Sequence, residues 1–246
     1  QRRGNRLDYC IPSKSSGMVS EQDIHAALRR HFGYDDFRDG QYQPIAEILA
    51  GRDAVVVMPT GSGKSLCYQL AALMLPGTTL VVSPLISLMK DQVAALKSAG
   101  VPAAYINSSL TGEQIRTVYA RTRKGAYKLI YVAPERLETN SFLSLMQEMD
   151  VSFLAVDEAH CISQWGQDFR PSYLGIVDFI NALPRRPIVA AYTATATKQV
   201  QSDILRLLQL QSPYRIVTGF DRPNLYFDVR RPKNKFSALA ALINER

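Results

Sequence analysis

Short, continuous apolar runs alternate with segments of helical spacing along most of the chain. A strand with one buried face shows alternating apolar and polar residues, whereas a strand buried on both faces reads as a nearly unbroken apolar run. Regular alternation of such strands with helices is typical of an α/β fold with a mostly parallel sheet and helices on both faces. We predict strands at 54–58, 79–83, 103–106, 128–132, 151–156, 188–192 and 214–217.

Capping residues and helix breakers indicate where the helices begin and end. Ser20 precedes apolar residues at helical spacing and Gly33 follows them, so we predict a helix over 21–32 with Ser20 as its N-cap. Pro44 is compatible with a short helix over 44–49, because it lies in the first turn. Further helices are predicted at 65–73, 84–99, 112–122, 141–149, 173–182, 198–208 and 235–244.

This alternation defines one doubly wound domain at residues 18–218. Residues 1–17 are polar, basic and without periodicity, and we interpret them as an N-terminal extension that is flexible or was added artificially. Residues 219–246 hold a turn, one strand at 225–229 and one helix, which are too few elements to bury a core. We interpret them as a linker and the start of a second domain that we expect the chain to lack.

The segment that joins the first predicted strand to its helix has the composition of a phosphate-binding loop. Its glycines allow backbone N–H groups to point at an anion, and the helix N-terminus adds partial positive charge. Lys64 would reach the β- and γ-phosphates, and the Ser65 hydroxyl would ligate Mg²⁺. The pattern G-x-x-x-x-G-K-[ST] is incomplete, because Met58 stands at its first glycine. The strand–loop–helix context still predicts a nucleoside triphosphate site, made by Thr60, Gly61, Ser62, Gly63, Lys64 and Ser65.

An acidic pair follows the predicted strand at 151–156. Asp157 would hold Mg²⁺, directly or through water, and Glu158 would position and deprotonate the attacking water. The predicted catalytic residues are therefore Lys64, Asp157 and Glu158, and an ordinary solvated acidic turn is the alternative. His160 is placed to sense the γ-phosphate and to pass its state to the loop that follows.

That loop contains the only tryptophan of the chain, Trp165, together with Phe169 and Arg170. Exposed aromatic rings stack on unpaired bases, and an arginine holds phosphate. The alternative is that both rings merely close over the hydrophobic core. The position of the loop directly after the acidic pair favours coupling between DNA binding and hydrolysis.

Charge and composition bear on the binding partner of the chain and on its location in the cell. Lys and Arg number 29 against 22 Asp and Glu, and the net charge of +7 suits nucleic acid as well as an ordinary basic enzyme. Three cysteines without a C-x-x-C spacing indicate neither a zinc site nor a disulfide framework, and a reducing compartment fits best. No apolar run reaches membrane-spanning length. We expect an intracellular monomer without membrane association, in the bacterial cytoplasm and nucleoid or in a eukaryotic nucleus.

Several stretches resemble the motifs of RecQ-family DNA helicases, and they occur in that family's order over about residues 20–230. Asp-Glu-Ala-His at 157–160 would alone also fit RNA helicases of another group, but the Cys-Ile-Ser-Gln-Trp-Gly that follows argues against them. The stretches are 32–41, 58–69, 83–92, 131–137, 157–166, 193–197 and 220–224.

The resemblance implies a RecA-like P-loop NTPase fold, ATP and Mg²⁺ as cofactors, and 3′-to-5′ movement on single-stranded and partly duplex DNA in recombination and repair. It implies that Tyr34, Arg38 and Gln41 recognise adenine, with Tyr34 stacking on the base and Gln41 reading its edge. Thr193 and Thr195 match a motif that links ATP state to DNA contacts. The residues implied in DNA binding and coupling are His160, Gln164, Trp165, Gln167, Phe169, Arg170, Thr193 and Thr195.

Two departures from the family pattern change the expected activity. Gln167 stands where the family usually has histidine, so DNA-to-ATPase coupling is expected to differ. The second motor domain, with the arginine that would stabilise the transition state, is expected to be missing. We therefore predict that this first motor domain binds ATP, binds single-stranded DNA weakly and does not unwind duplexes alone. The alternatives left open are a nucleotide- and DNA-binding module without productive catalysis, a duplex-DNA translocase and an RNA-directed motor.

Overall fold

The computed structural model describes residues 19–219 and 231–244. The predicted N-terminal extension, the 220–224 motif and the strand at 225–229 lie outside these residues. Within the described part, strands and helices alternate as the apolar pattern predicts. The helices at 21–32 and 235–244 and the strands at 103–106, 151–156 and 214–217 have the predicted ends.

All seven strands of the described part belong to one sheet. They are β1 (Ala54–Val57), β2 (Thr78–Val82), β3 (Ala103–Ile106), β4 (Leu129–Val132), β5 (Val151–Val156), β6 (Ile188–Thr193) and β7 (Tyr214–Val217). Their order across the sheet is β3-β4-β2-β5-β6-β1-β7, and every pair of neighbours is parallel. The predicted α/β fold is therefore confirmed, and within the described residues the sheet is parallel throughout.

Helices connect successive strands and lie on both faces of the sheet. They are α1 (Glu21–Phe32), α2 (Tyr42–Leu49), α3 (Lys64–Met74), α4 (Ile86–Ser98), α5 (Gly112–Arg123), α6 (Asn140–Gln147), α7 (Ile176–Ala182), α8 (Lys198–Leu207) and α9 (Lys235–Asn244). Short 3₁₀ turns occur at Pro134–Arg136, Ala159–Ile162 and Pro171–Gly175. None of the helices in 19–219 or 231–244 has the length and apolar character that crossing a membrane requires.

The two faces of the sheet carry separate hydrophobic clusters. Along β1, Val55 and Val57 belong to one cluster and Val56 to the other, because successive strand residues point to opposite faces. Buried residues of α1–α4 complete the cluster around Val56, and buried residues of α5–α8 complete the other. Both faces are covered, which is the physical reason for the continuous apolar runs in the sequence.

Two predicted helices begin later than the sequence indicates. The segment predicted at 173–182 starts as a 3₁₀ turn and becomes α-helical at Ile176. The Tyr173 hydroxyl donates to the Asp157 carbonyl (2.8 Å), so this turn is held against the end of β5. Likewise, α4 begins at Ile86 rather than Pro84, since Leu85 stays extended.

Candidate active site

The carboxyl ends of β1, β5 and β6 bring the predicted chemistry together at one edge of the sheet. β6 lies between β1 and β5, so the glycine-rich loop after β1 faces the acidic pair after β5 across a single strand. The loop is tied to that strand by the Met58 N–H, which donates to the Thr193 carbonyl (3.0 Å). In open parallel sheets this edge is where ligands bind.

The glycine-rich loop curls through two left-handed residues before α3 begins at Lys64. Gly61 and Gly63 have φ of 82° and 85°, a region in which a Cβ is costly. A Cβ on Gly63 would also overlap the Gln41 amide nitrogen. The Ser62 hydroxyl donates to the Pro59 carbonyl at 2.6 Å and closes the turn. Thr60 and Gly61 are exposed, and Ser65 is half-buried at the start of α3.

Lys64 points back into the loop that it follows. Its Nζ donates to the carbonyls of Met58 (2.9 Å) and Pro59 (3.3 Å). Burial lowers the pKa of Lys64, while the charges of Glu158 and Asp157 oppose that shift. The ammonium group therefore lies within electrostatic reach of the acidic pair, and it fits a site that receives the negative charge of a polyphosphate.

Two of the predicted adenine residues, Arg38 and Gln41, contact the loop, and Gln41 makes contacts that the sequence did not indicate. The buried Gln41 amide nitrogen donates to the carbonyls of Ser62 (3.1 Å) and Gly63 (3.3 Å), and its oxygen accepts the Arg38 N–H (2.8 Å). Arg38 donates from its guanidinium to the Gly61 carbonyl (3.0 Å). Gln41 thus braces the phosphate loop. Tyr34 is 56% exposed, which leaves its ring accessible, and base recognition by this trio stays a prediction.

Asp157 is a buried carboxylate with few protein partners. It is 6% exposed, and in the described residues its side chain accepts one hydrogen bond, from the Glu158 N–H (3.0 Å). Burial, followed by the charge of Glu158, raises its pKa to about 6, while that hydrogen bond and Lys64 act in the opposite direction. A buried oxygen ligand with unused lone pairs suits a hard divalent cation, so the surroundings of Asp157 fit its predicted role as a Mg²⁺ ligand. The part of Ser65, at the start of α3, stays a prediction.

Glu158 and His160 continue from Asp157 in a strained turn. Glu158 has φ of 48°, which is uncommon for a residue with a side chain. The Thr193 hydroxyl donates to the Thr195 carbonyl (3.0 Å), so the contact between Thr193 Oγ1 and His160 Nδ1 (3.0 Å) requires a proton on Nδ1. The same Nδ1 lies 3.3 Å from a Glu158 carboxylate oxygen. His160 therefore contacts both the acidic pair and the 193–197 segment, a contact that the sequence did not indicate.

The loop at 161–170 presents its tryptophan to solvent. Trp165 is 74% exposed, which contradicts the alternative that its ring closes over the core, whereas Phe169 is half-buried. Gln164 and Gln167 are exposed. The Arg170 guanidinium donates to an Asp168 carboxylate oxygen (2.7 Å) and to the Pro84 carbonyl (3.3 Å), so it links this loop to the segment after β2.

Sequence reasoning missed one residue that the structure places under this loop. Asp203 on α8 accepts a hydrogen bond from Ser163 at 2.7 Å, and both side chains are buried. A signal was present, because Asp203 interrupts the apolar face that Val200 and Ile204 form on α8. An aspartate inside a helix is unfavourable unless its carboxylate has a partner.

Comparison with known proteins identifies the family of the chain. The DEAD/DEAH box helicase family model matches residues 38–203. The ATP-dependent DNA helicase RecQ of Bacillus subtilis is 50% identical over 209 residues, which are 85% of this chain and 35% of that protein. RecQ of Haemophilus influenzae is 46% identical over 237 residues, 96% of this chain and 38% of that protein. The chain thus spans less than two-fifths of the length of these relatives.

Solved structures show the same fold at low sequence identity. The helicase Lhr of Mycobacterium smegmatis, in a complex with single-stranded DNA and AMP-PNP, has a TM-score of 0.63 at 20% identity, over 79% of this chain and 28% of that one. A hypothetical ATP-dependent RNA helicase from Sulfolobus tokodaii has a TM-score of 0.61 at 20% identity, over 80% of this chain and 57% of that one. The predicted RecA-like P-loop fold is confirmed by these neighbours.

Proposed function

The chain belongs to the DEAD/DEAH box helicase family, and we propose that it is the ATP-hydrolysing first motor domain of a RecQ-like, 3′-to-5′ DNA helicase. One observation carries the proposal. The glycine-rich loop with Lys64 follows β1 and the Asp157–Glu158 pair follows β5, so the two lie on either side of β6 at the same edge of the sheet. Recombination and repair of DNA inside the cell are the processes in which such a motor would act.

The residues of the chain divide the work of binding and hydrolysis. Lys64 exchanges its contacts with the Met58 and Pro59 carbonyls for phosphate oxygens, which are stronger partners because they are charged. Asp157 and Ser65 would hold Mg²⁺, which would neutralise charge on the phosphates. Glu158 orients the attacking water and accepts its proton. Tyr34, Arg38 and Gln41 bind the adenine side of the nucleotide.

The route to DNA runs through His160 and the 161–170 loop. His160 shares its Nδ1 proton between Thr193 and Glu158, so a change at Glu158 alters a contact of the 193–197 segment. Trp165 offers an exposed ring for base stacking, and the net charge of +7 favours a polyanion. Single-stranded and partly duplex DNA is therefore the proposed substrate, with Thr195, Gln164, Gln167, Phe169 and Arg170 as further contacts.

Full activity is proposed to require a second motor domain. An arginine supplied from across the cleft contributes about 10³–10⁵ in rate in comparable phosphoryl-transfer systems. We therefore expect slow turnover and no duplex unwinding by this chain alone. Strand separation by the chain at catalytic concentrations would contradict that expectation.

The proposal is tested by measuring ATP hydrolysis and ATP binding with and without single-stranded DNA. Glu158→Gln is expected to keep Mg²⁺-dependent nucleotide binding and to lower turnover at least about 100-fold, because the variant cannot accept a proton. Lys64→Ala is expected to lose both. Turnover that is unchanged in both variants would overturn the proposed site.

Nucleotide and DNA binding without any turnover to lose would instead identify a binding module without catalysis. Competition among single-stranded DNA, duplex DNA and RNA separates the remaining alternatives. We expect single-stranded DNA to compete best.

A further inference from the structure

A buried hydroxyl and a buried carboxylate lie beneath the loop that carries Trp165. Ser163 has no exposed surface, and Asp203 is 6% exposed. The Ser163 hydroxyl donates to Asp203 Oδ2 at 2.7 Å and accepts the backbone N–H of Trp165 at 3.1 Å. The single hydroxyl proton is directed at the carboxylate, so an oxygen lone pair is directed at the Trp165 N–H. Asp203 therefore orients the contact that holds the Trp165 backbone.

Asp203 remains an ionised acceptor although it is buried. Its second oxygen accepts a hydrogen bond from Arg206 at 3.0 Å, one helical turn further along α8. The hydrogen bond from Ser163, helped by Arg206, holds the pKa of Asp203 below its usual value despite burial. Hydrogen bonds to an ionised acceptor are roughly twice as strong as those between neutral groups, so the hydrogen bond from Ser163 to Asp203 is a strong one. We call this pair the anchor.

The same helix connects this anchor to the nucleotide side of the site. α8 begins directly after the 193–197 segment, and Thr197 caps it by accepting the Val200 N–H at 3.3 Å. The β6–α8 unit thus contacts the segment after β5 twice. Thr193 contacts His160 next to Glu158, and Asp203 contacts Ser163 under Trp165.

The exposed Trp165 ring gains little from packing, so its position depends on how its backbone is held. We propose that Asp203, acting through Ser163, is a positioning residue that holds the Trp165 loop in the conformation that binds single-stranded DNA. The DNA-binding consequence rests on the proposed function, whereas the anchoring itself is a property of the chain alone. The two are tested by different measurements.

The anchoring is tested without DNA. Trp165 is the only tryptophan, so time-resolved fluorescence anisotropy of the whole chain reports on this one side chain. Asp203→Ala is expected to increase the fast, local part of the anisotropy decay, and Ser163→Ala is expected to do the same. Asp203→Asn keeps an oxygen acceptor for the Ser163 hydroxyl and should restore most of the slow decay.

The consequence is tested with a fluorescein-labelled single-stranded oligonucleotide and a fluorescent ATP analogue. Asp203→Ala is expected to weaken DNA binding about tenfold, the effect of losing one hydrogen bond to a charged group. Nucleotide affinity should stay within about twofold, because the Lys64 and Asp157 contacts are untouched. In a double-mutant cycle, Ser163→Ala and Asp203→Ala should be strongly non-additive, because they remove the same contact.

Two control variants distinguish the loss of the Ser163–Asp203 hydrogen bond from the mere loss of a negative charge and from the loss of helix stability. Asp178→Ala removes one exposed carboxylate from α7 and should leave Trp165 anisotropy unchanged, with DNA binding unchanged or slightly stronger. Thr197→Ala removes the side-chain cap of α8 without touching Ser163, and it should change Trp165 anisotropy less than Asp203→Ala does.

The outcomes divide cleanly between the two proposals. The anchor would be overturned by unchanged Trp165 anisotropy in Asp203→Ala or by an equal effect of Thr197→Ala on that anisotropy. It would also be overturned if the effects of Ser163→Ala and Asp203→Ala on DNA binding were additive. If the parent chain binds no DNA but Asp203→Ala still loosens Trp165, the anchor stands and the DNA-binding part of the proposed function fails.

Discussion

Two buried aspartates at opposite ends of the sheet have opposite surroundings. Asp53, 3% exposed, precedes β1, and Asp157, 6% exposed, follows β5. One Asp53 oxygen accepts the Val189 N–H (2.9 Å) and an Arg186 N–H (3.1 Å), and the other accepts from Arg186 (2.7 Å) and the Gln211 N–H (2.7 Å). The Asp157 carboxylate accepts a single hydrogen bond in the described residues.

The difference shows how one residue type serves two purposes. The partners of Asp53 join the starts of β1 and β6 and the turn before β7, so its charge is fully satisfied by the protein. The Asp157 carboxylate accepts one hydrogen bond and has a raised pKa, so its charged form is costly by itself and would be stabilised by a cation. The carboxylate at the amino-terminal edge of the sheet is satisfied by protein partners, whereas the one at the carboxyl-terminal edge has the surroundings expected of the proposed ligand site.

The largest expected difference in stability is between two substitutions of aspartate by asparagine, one at Asp53 and one at Asp157. Asp53→Asn should lower the free energy of unfolding by about 3 kcal/mol, since it leaves the Arg186 charge unpaired and turns an amide N–H toward backbone donors. Asp157→Asn should not lower stability at pH 7, because the raised pKa means that the charged carboxylate disfavours the folded state above about pH 6.

Denaturant unfolding without nucleotide measures the stability of both variants. The variant that keeps its stability should be the one that loses ATP turnover. Asp157→Asn is expected to lose turnover, and Asp53→Asn should keep it while folded. Equal losses of stability at the two positions would break the comparison.

A second contrast uses one glycine from each edge. Gly77 and Gly63 both have positive φ, of 64° and 85°. Alanine at either position should therefore lower the free energy of unfolding by about 1 kcal/mol or more. A Cβ on Gly77 would overlap the Asp150 backbone carbonyl, which cannot move freely, whereas a Cβ on Gly63 would overlap the movable end of Gln41. Gly77→Ala should therefore cost more stability, by about 1–2 kcal/mol.

Titration of ATP-analogue binding completes that test. Gly63→Ala should weaken nucleotide binding through the displaced Gln41 brace, and Gly77→Ala should leave it unchanged in the folded chain. A larger loss of stability in Gly63→Ala would show that the loop, rather than the opposite edge, carries the packing constraint.

The smallest expected effect is a pH dependence of stability that comes from Lys128, at the amino-terminal edge of the sheet just before β4. Lys128 donates to the carbonyls of Leu75 (2.5 Å) and Gly77 (2.7 Å), and burial lowers its pKa to about 8, with the charge of Asp150 opposing that shift. Between about pH 8 and pH 10 the unfolded chain binds a proton that the folded chain does not, so stability should rise with pH across this window.

The measurement is denaturant unfolding at pH 7 to 10 for the parent, Lys128→Met and the exposed control Lys124→Met. The parent should gain stability relative to Lys128→Met as pH rises, and Lys124→Met should follow the parent. Parallel curves for the parent and Lys128→Met would show that the two carbonyls keep the ammonium charged.

Most of the secondary structure and the outline of the candidate site could be predicted from the sequence. The strands were recognisable because both of their faces are buried, and the phosphate loop and acidic pair because their residues are adjacent in the chain. The starts of α4 and of the 173–182 segment were wrong, because Arg170 and Tyr173 make contacts there with residues distant in sequence.

The sequence by itself determined the α/β class, the parallel sheet and the family, since all three depend on local periodicity and on contiguous motifs. Only the tertiary structure decided that Gln41 braces the phosphate loop, that Asp203 holds Ser163, and that Asp53 joins Arg186, Val189 and Gln211. These contacts link residues that are 21 to 158 positions apart in the chain. A hydrogen bond depends on distance and direction in space, and for such pairs only the packing of helices on the sheet sets both.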